Sequence, residues 1–345
     1  AYITALARPA RCYTIGYAEA GYDEAGEAAH LARVLGIQSR VRRITPEEFW
    51  DAIPAVQYHM DEPLADAAAV ALYFLNGEAA RDVKVCLSGE GADEFFAGYN
   101  IYKEPFTARW YDRLPAGLRR ALGAVAERLP AGPGVNFLVR RALPLEERYY
   151  GNTALFTERQ KRKLLRHDYR TVQPFDLARP YWRASAGLDP VTRMQGCDIH
   201  LWLAGDILLK ADKMSMAHSL ELRVPFLDRE VFALARRLPP DAKADARQTK
   251  IALRAAAARH LPLPSAQRKK RGFPVPVRDW LRDPVYAARV RAVFDSPAAA
   301  RFFQVRQLHI LLDRHLRRRQ DNWRQIFCIY CFLVWYGQFF GSDAA

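Results

Sequence analysis

The stretch SGEGADEFFAGYN, residues 88–100, combines small residues and carboxylates directly after an apolar run. Gly89 and Gly91 can let the backbone approach a ligand closely, and Ser88 and exposed amides can donate to phosphate or ribose oxygens. Glu90 and Asp93 would repel a bare phosphate, so they indicate a metal ion or another cation between them and the ligand. The combination favours a Mg²⁺-nucleotide site, although a tight turn followed by an acidic helix cap would also fit any one of these residues.

A second group of charges lies in DILLKADKMSMAHSLELRVPFLD, residues 206–228. Asp206 and Lys210 stand four positions apart in the orientation that favours an ion pair on a helix, and Lys213 shares their face. The apolar spacing predicts that most of this helix is buried, where an unpaired charge costs several kcal/mol. These charges must therefore meet partners, which are either one another or a ligand.

Two shorter stretches are less specific. MDEPLAD, residues 60–66, places acids around a proline before a helix, and Asp66 is at least as well explained as a helix N-cap. QRKKRGFPVPVRDWL, residues 267–281, sets cations before a rigid turn and can present a lysine to a phosphate or a developing oxyanion. From the residues alone, it is a solvated basic loop or a nucleic-acid patch.

The composition restricts the class of protein. The chain has 345 residues, half of them hydrophobic, and 52 basic against 38 acidic side chains give a net charge of +14. That charge suggests an anionic partner: a nucleotide, a nucleic acid or a membrane surface. No long uncharged apolar stretch or secretory signal is visible, so a cytoplasmic protein without a membrane partner is expected. A non-catalytic, basic binding protein is the alternative of another class.

Elements that would position these groups alternate over residues 1–100. The patterns predict strands at 12–17, 38–44 and 83–87, with the last one covered on both faces, and helices at 23–36 and 66–81. Thr45, Pro46 and Glu48 form a capping-box pattern at the start of a further helix. From residue 101 onward the strand signals nearly vanish. The predicted fold class is therefore α/β, a doubly wound parallel sheet with an extensive helical C-terminal layer.

Five stretches in order, TIGY, DEPLAD, VCLSGEGADEFFAGY, LLKADKMSMAHSLELRVPFLD and RKKRGFPVP, resemble the synthetase domain of the glutamine-hydrolysing asparagine synthetases. The likeness covers about residues 1–340. It implies a sheet of the adenine-nucleotide α-hydrolase (ATP pyrophosphatase) type. It also implies that the side-chain carboxylate of aspartate attacks Mg·ATP to give β-aspartyl-AMP and pyrophosphate. Ammonia, taken from glutamine in the full-length protein, then displaces AMP and yields asparagine.

The resemblance also implies roles for individual residues. Ser88 and Gly89 would hold ATP, and Ile15 would contact its adenine side. Asp93 would help to hold Mg²⁺, and Glu90 would serve formation or aminolysis of the acyl-adenylate. Lys270 would steady charge on the phosphates and on the developing tetrahedral centre. The motifs leave the acceptor open, because related amidotransferases act on a β-lactam precursor, a peptide or a sugar acid.

The same likeness predicts one asparagine synthetase-like domain over residues 1–345, with an α/β nucleotide-binding part (1–100) and a mainly helical part (101–345). Its partners would be aspartate, ATP and ammonia or glutamine rather than nucleic acid, and a homodimer is compatible with it. An SGGxDS loop and an N-terminal glutaminase domain have no counterpart in these residues. The expectation is a fragment of a longer protein that is inactive by itself; a naturally shortened, inactive relative is the alternative.

Overall fold

The computed structural model describes residues 10–129, 134–151, 155–167, 169, 172–262, 266 and 272–341. Within these residues the fold is mixed α/β and rich in helix, which agrees with the predicted class at that level. The strands are β1 (Arg11–Gly16), β2 (Gln38–Arg43), β3 (Val85–Leu87) and β4 (Glu221–Arg223).

The helices described, in chain order, are α1 (Ala25–Val34), α2 (Pro46–Met60), α3 (Ala67–Ala80), α4 (Ala92–Phe95), a 3₁₀ helix (Asn100–Phe106), α5 (Arg109–Asp112), α6 (Ala116–Ala126), α7 (Val135–Arg141), α8 (Leu145–Arg148), α9 (Glu158–Leu164), α10 (Pro174–Ala184), α11 (Pro190–Cys197), a π-helix (Asp198–Leu208), α12 (Leu209–Met216), a second 3₁₀ helix (Pro225–Leu227), α13 (Arg229–Ala235), α14 (Pro240–Lys243), α15 (Ile251–Ala257), α16 (Val277–Trp280), α17 (Pro284–Phe294), α18 (Pro297–Phe302), α19 (Val305–Leu316) and α20 (Trp323–Phe340).

Local sequence signals explain how the first helices begin and end. The Thr45 hydroxyl accepts from the Glu48 amide at 3.2 Å, and the Glu48 carboxylate accepts from the Thr45 amide at 3.0 Å. This reciprocal pair is the predicted capping box, and it satisfies two amides that the first turn of α2 leaves without helical partners. Gly36 follows α1 with a φ of +66°, a conformation that glycine adopts without steric cost.

The strands pair in parallel, as predicted. β1 lies beside β2 in the register Arg11 to Gln38, and β3 lies beside β4 in the register Val85 to Glu221. Among the described residues these are two separate two-stranded sheets. The prediction that the strand at 83–87 is covered on both faces is wrong, because Val85 and Leu87, which share one face of β3, are 40% and 51% exposed.

β4 was not expected, because strand signals nearly vanish after residue 101. Glu221 and Arg223 alternate with a single apolar residue over three positions, which is too short a pattern to indicate a strand. Their two exposed side chains pair with each other at 2.8 Å. The strand forms because β3 offers a ladder edge, which is a long-range contact that local sequence does not encode.

The largest apolar core among the described residues joins the first strand to the last helix. It includes Ile15 of β1, Phe49 and Trp50 of α2, and Phe327 and Leu333 of α20. α20 packs its buried face against α2 and places aromatic rings edge-on to those of α2. Although α20 is strongly apolar, no helix in the described part of the chain has the length and hydropathy needed to cross a membrane.

Candidate active site

The loop that begins at Ser88 follows directly from β3 and is fixed to β4. The Ser88 amide donates to the Arg223 carbonyl at 2.9 Å, which extends the β3–β4 ladder by one bond. The chain then turns at Gly91, whose φ of +87° makes it the left-handed N-cap of α4. The predicted ligand-binding stretch therefore lies at the carboxyl end of a parallel strand, where ligands of α/β proteins bind.

Glu90 lies half-buried behind Ser88. The Ser88 hydroxyl donates to Glu90 Oε2, so the loop closes on itself. Burial raises the pKa of Glu90, its own backbone amide and the charge of Lys210 oppose that rise, and the negative charge of Asp93 adds to it. A carboxyl group with a raised pKa can exchange protons nearer to neutral pH than an ordinary glutamate.

Asp93 meets a cation from a distant part of the chain. Its Oδ1 lies 3.0 Å from the Nζ of Lys250, and each of these side chains is about one-fifth exposed. Sequence reasoning missed Lys250, because nothing in QTKIALR marks that lysine as the partner of an aspartate so far away along the chain. The loop thus presents Asp93 already paired with a positive charge.

Glu94, the third acid of the motif, points into the protein. It is 1% exposed, and Tyr99 donates to its Oε1 at 2.5 Å while receiving a hydrogen bond from Trp202 at 3.2 Å. Burial raises the pKa of Glu94, and the Tyr99 hydroxyl opposes that rise. Glu94 therefore anchors α4, and Glu90 and Asp93 are the acids that remain at the loop surface.

A buried ion cluster lies near Glu90. Lys210 is 6% exposed and binds two carboxylates, Asp206 at 2.9 Å and Asp66, while its Nζ lies 5.9 Å from the ring centre of Trp202. Despite burial, these carboxylates raise the pKa of Lys210, so it stays protonated. The prediction that the charges of 206–228 find partners is confirmed, and Asp66 also caps α3 by accepting from Ala68 at 2.9 Å.

The same helix holds the acidic loop before α3 by a second ion pair. Lys213 Nζ donates to Asp61, which lies at the start of DEPLAD and has a positive φ of +60°. Both partners are more exposed than Lys210, so this pair is the weaker of the two. Lys210 and Lys213, one turn apart on α12, thus fix the two ends of the DEPLAD segment.

Two of the predicted site residues are not part of this loop. One lies in the other sheet, and one lies outside the described residues. Ile15 is at the carboxyl end of β1 in the other sheet, and its side chain is 6% exposed within the main core. Its proximity to a nucleotide thus remains a prediction. Lys270 lies outside the described residues, as does the whole basic run 268–271 before Gly272. Ser88, Gly89, Glu90 and Asp93 share the single loop described above.

The donor set limits how a metal could bind. Within the described ranges, no group of three or more His, Cys, Asp or Glu side chains could enclose a metal ion. Mg²⁺, however, is usually held by one or two carboxylates and completes its shell with water and substrate phosphates. Asp93 fits that pattern, because its carboxylate already binds a cation at a partly exposed position.

Comparison with known proteins gives consistent matches. A family model described as asparagine synthase matches residues 1–337. The glutamine-hydrolyzing asparagine synthetase 1 of Bacillus subtilis (strain 168) is 41% identical over 327 residues, which cover 94% of this chain and 52% of that protein. A putative glutamine-hydrolyzing asparagine synthetase of Mycobacterium bovis is 43% identical over 331 residues, 95% of this chain and 50% of its own. The chain spans about half the length of these curated relatives.

Proposed function

The chain belongs to the asparagine synthase family, and from that premise we propose that the native polypeptide containing it is an ATP-dependent, amide-forming ligase. In the proposed reaction the side-chain carboxylate of aspartate attacks the α-phosphate of ATP and pyrophosphate leaves. Ammonia then attacks the acyl carbon of β-aspartyl-AMP, loses a proton, and releases AMP and asparagine. The observation that carries the proposal is 41–43% identity to proteins named asparagine synthetase across 94–95% of the chain.

The loop after β3 supplies the proposed groups for this chemistry. Ser88 and Gly89 bind the nucleotide, with space around Gly89 for close approach, and Ile15 contacts the adenine side. Glu90 acts on the acyl-adenylate, and we assign it to the aminolysis step. Attack by ammonia leaves an extra proton on nitrogen, and a carboxylate with a raised pKa is suited to take it.

The negative charge of the ATP phosphates must be balanced by cations. We assign two: a Mg²⁺ ion and the ammonium group of a lysine. Asp93 would hold Mg²⁺, which when bound neutralises charge on the phosphates of the nucleotide. Lys270 would stabilise the phosphates and the tetrahedral centre of aminolysis as a point charge. Loss of such a donor typically raises the barrier by about 3 kcal/mol. Lys270 lies outside the described residues, so its assignment depends on the sequence motif RKKRGFPVP.

We extend the proposal to the fold and the partners. β1–β2 and β3–β4 would be parts of one doubly wound sheet of the adenine-nucleotide α-hydrolase type, with residues 1–345 as one domain. Since the relatives are named glutamine-hydrolyzing and are about twice as long, glutamine would supply the ammonia in the full-length protein. We also propose that the enzyme is cytoplasmic, acts on small molecules and forms a homodimer.

Exchange of labelled pyrophosphate into ATP tests the first half-reaction in the native polypeptide. We expect exchange that requires both Mg²⁺ and aspartate. A panel of other carboxylic acids, including peptide and sugar acids, runs in parallel. Exchange with one of those acids but not with aspartate would contradict the asparagine assignment and favour a related amidotransferase. Binding of nucleic acid that weakens steeply with salt, together with no exchange, would favour a basic binding protein.

Glu90→Gln separates the two half-reactions. We expect asparagine formation to fall by about 100-fold, the lower range for a general base. Exchange should fall much less if Glu90 serves aminolysis. Glu221→Gln is the matched control, because Glu221 is an exposed glutamate of the neighbouring strand β4 and pairs only locally with Arg223. Equal losses in both half-reactions would move Glu90 to adenylate formation instead.

A further inference from the structure

Lys250 holds a backbone conformation that lysine rarely adopts. Its φ and ψ are 54° and 37°, in the left-handed region, and it is the N-cap of α15. This region is costly for a residue with a Cβ, and its occupation requires surroundings that compensate. The conformation brings the Lys250 ammonium to 3.0 Å from Asp93 Oδ1.

Gly98 leaves the room that this ion pair needs. A Cβ at Gly98 would lie 1.9 Å from Asp93 Oδ1 and 2.2 Å from Lys250 Cε, both far inside van der Waals contact. The Gly98 amide also donates to the Asp93 carbonyl at 2.7 Å, which fixes the glycine beneath the pair. A strained lysine and a required glycine thus converge on one carboxylate oxygen.

Two carboxylates of one short loop, Asp93 and Glu94, interact with this lysine. Asp93 pairs with Lys250 directly. The positive charge of Lys250 also favours the ionised form of Glu94. The negative charge of Asp93 raises the pKa of both Glu90 and Glu94, and the ammonium paired with Asp93 offsets part of that repulsion. The site therefore contains its own positive charge at the oxygen assigned to magnesium.

We propose that Lys250 is a positioning residue that keeps the metal position of Asp93 filled until a nucleotide arrives. The inference rests on the proposed function, in which Asp93 holds Mg²⁺. An ammonium and a metal ion compete for the same carboxylate oxygen, so the metal alone binds weakly. When Mg·ATP enters, its phosphate oxygens accept the displaced ammonium in charge-assisted hydrogen bonds, and metal and nucleotide bind together.

The test measures the metal and the nucleotide separately in the native polypeptide. Free Mn²⁺ is followed by electron paramagnetic resonance without nucleotide, and binding of a non-hydrolysable Mg·ATP analogue is followed by calorimetry. Lys250→Asn removes the charge and keeps a residue that tolerates left-handed φ. We expect Mn²⁺ to bind about 10-fold more tightly, because its competitor is gone, and the nucleotide to bind about 10-fold more weakly, because a cation for its phosphates is lost. Each change corresponds to about 1.4 kcal/mol of binding free energy.

Two controls isolate the charge. Lys250→Arg keeps the cation and should retain the wild-type pattern. Arg318→Asn removes a cation from another left-handed position, φ +54° in the turn after α19, and should change neither affinity. Asp93→Asn added to Lys250→Asn should abolish the gain in Mn²⁺ affinity, which assigns that gain to Asp93.

The opposed shifts distinguish this role from a structural one. If Lys250→Asn weakens both ligands, the lysine only supports the loop, and the proposal is overturned. It is also overturned if Mn²⁺ affinity stays unchanged. Because neither measurement requires aspartate, the opposed shifts can be found even if aspartate-dependent pyrophosphate exchange is absent. That combination would remove the asparagine assignment and leave the role of Lys250 standing.

Discussion

Gly89 and Gly91 lie two positions apart in the loop after β3, and different constraints act on each. Gly91 has a φ of +87°, and an added Cβ would lie 2.1 Å from Leu227 Cδ2, whereas an added Cβ at Gly89 meets no atom within 4 Å. We therefore expect Gly91→Ala to lower the free energy of unfolding by about 1–3 kcal/mol. Gly89→Ala should change it by less than about 0.5 kcal/mol.

Urea denaturation of the two variants checks this contrast. Gly91→Ala combined with Leu227→Ala removes the clash but not the backbone strain, so the part of the loss caused by Gly91 φ should persist. Equal stability of the Gly89 and Gly91 variants would show that the left-handed turn is not required. Weaker ATP binding by a stable Gly89→Ala would support close approach of a nucleotide at this position.

Asp198 is a fully buried carboxyl group that receives hydrogen bonds from the hydroxyls of Tyr102 and Tyr149. Burial raises its pKa from 3.8 to about 7, although both tyrosines oppose the rise. Between these two values the folded protein binds one proton more than the unfolded chain, so this group's contribution to stability is present at low pH and is lost as the pH rises to about 7.

Asp198→Asn should remove this pH dependence. The difference in unfolding free energy between the variant and wild type should shift in favour of the variant by on the order of 2–4 kcal/mol from pH 4 to pH 8. Chemical denaturation at both pH values measures the difference, and Asp241→Asn, an exposed aspartate of α14, is the control substitution. A stability difference that does not change with pH would show that Asp198 ionises at an ordinary pKa.

Single residues were predictable from sequence where their partners are near in the chain. Asp206 and Lys210 stand four apart on a helical segment, and Asp66 directly precedes α3, so an ion pair and a cap follow from spacing. The pairing of Asp93 with Lys250 and the contact of Asp66 with Lys210 depend on the folded chain. No local pattern indicates which of 52 basic residues will reach a given carboxylate.

At the scale of elements, two ion pairs join α12 to the segment before α3, and burial separates their strengths. Lys210→Met leaves Asp66 and Asp206 facing each other without a cation, so we expect a loss of about 3–5 kcal/mol in unfolding free energy. Lys213→Met breaks the exposed pair with Asp61 and should cost about 1 kcal/mol or less.

Urea denaturation compares these two lysine variants on one helix. Adding Asp66→Asn and Asp206→Asn to Lys210→Met removes the uncompensated charges and should recover part of the loss. No recovery would mean that the loss comes from the missing hydrogen bonds of the Lys210 ammonium rather than from uncompensated charge on Asp66 and Asp206. Similar losses for Lys210→Met and Lys213→Met would contradict the dependence on burial.

Helices and strands were predictable from sequence where nearby residues determine them. α2 has a capping box and a proline in its first turn, and its start was predicted. β3 is too short and too exposed to match the predicted buried strand, and the three residues of β4 are too few to show a strand pattern. Each of these strands forms by pairing with the other, which is distant along the chain. The eleven-residue π-helix before α12 likewise has no signal that distinguishes it from the predicted α-helix.

At the scale of the whole molecule, the main core connects the first strand to the last helix. Phe327 of α20 is 2% exposed, and its ring centre lies 6.1 Å from Phe49 and 6.3 Å from Trp50 of α2. α2 in turn contacts α3 and α12, which support the candidate site. The sequence predicts a strand at 12–17 and helices in the C-terminal part, but it cannot show that residues so far apart share one core.

This shared core predicts that residues 1–100 and 101–345 unfold together. Phe327→Ala should lower the free energy of unfolding by about 3–5 kcal/mol, because it leaves a cavity between α20 and α2. Phe339→Ala, on the same helix but 40% exposed, should cost less than about 1 kcal/mol. In the native polypeptide, hydrogen exchange should show that Phe327→Ala weakens protection of the β1–β2 ladder and of the buried helix α11 to a similar extent. If protection falls only around α20 and α2, the helical part folds independently, and residues 1–345 form more than one cooperative unit.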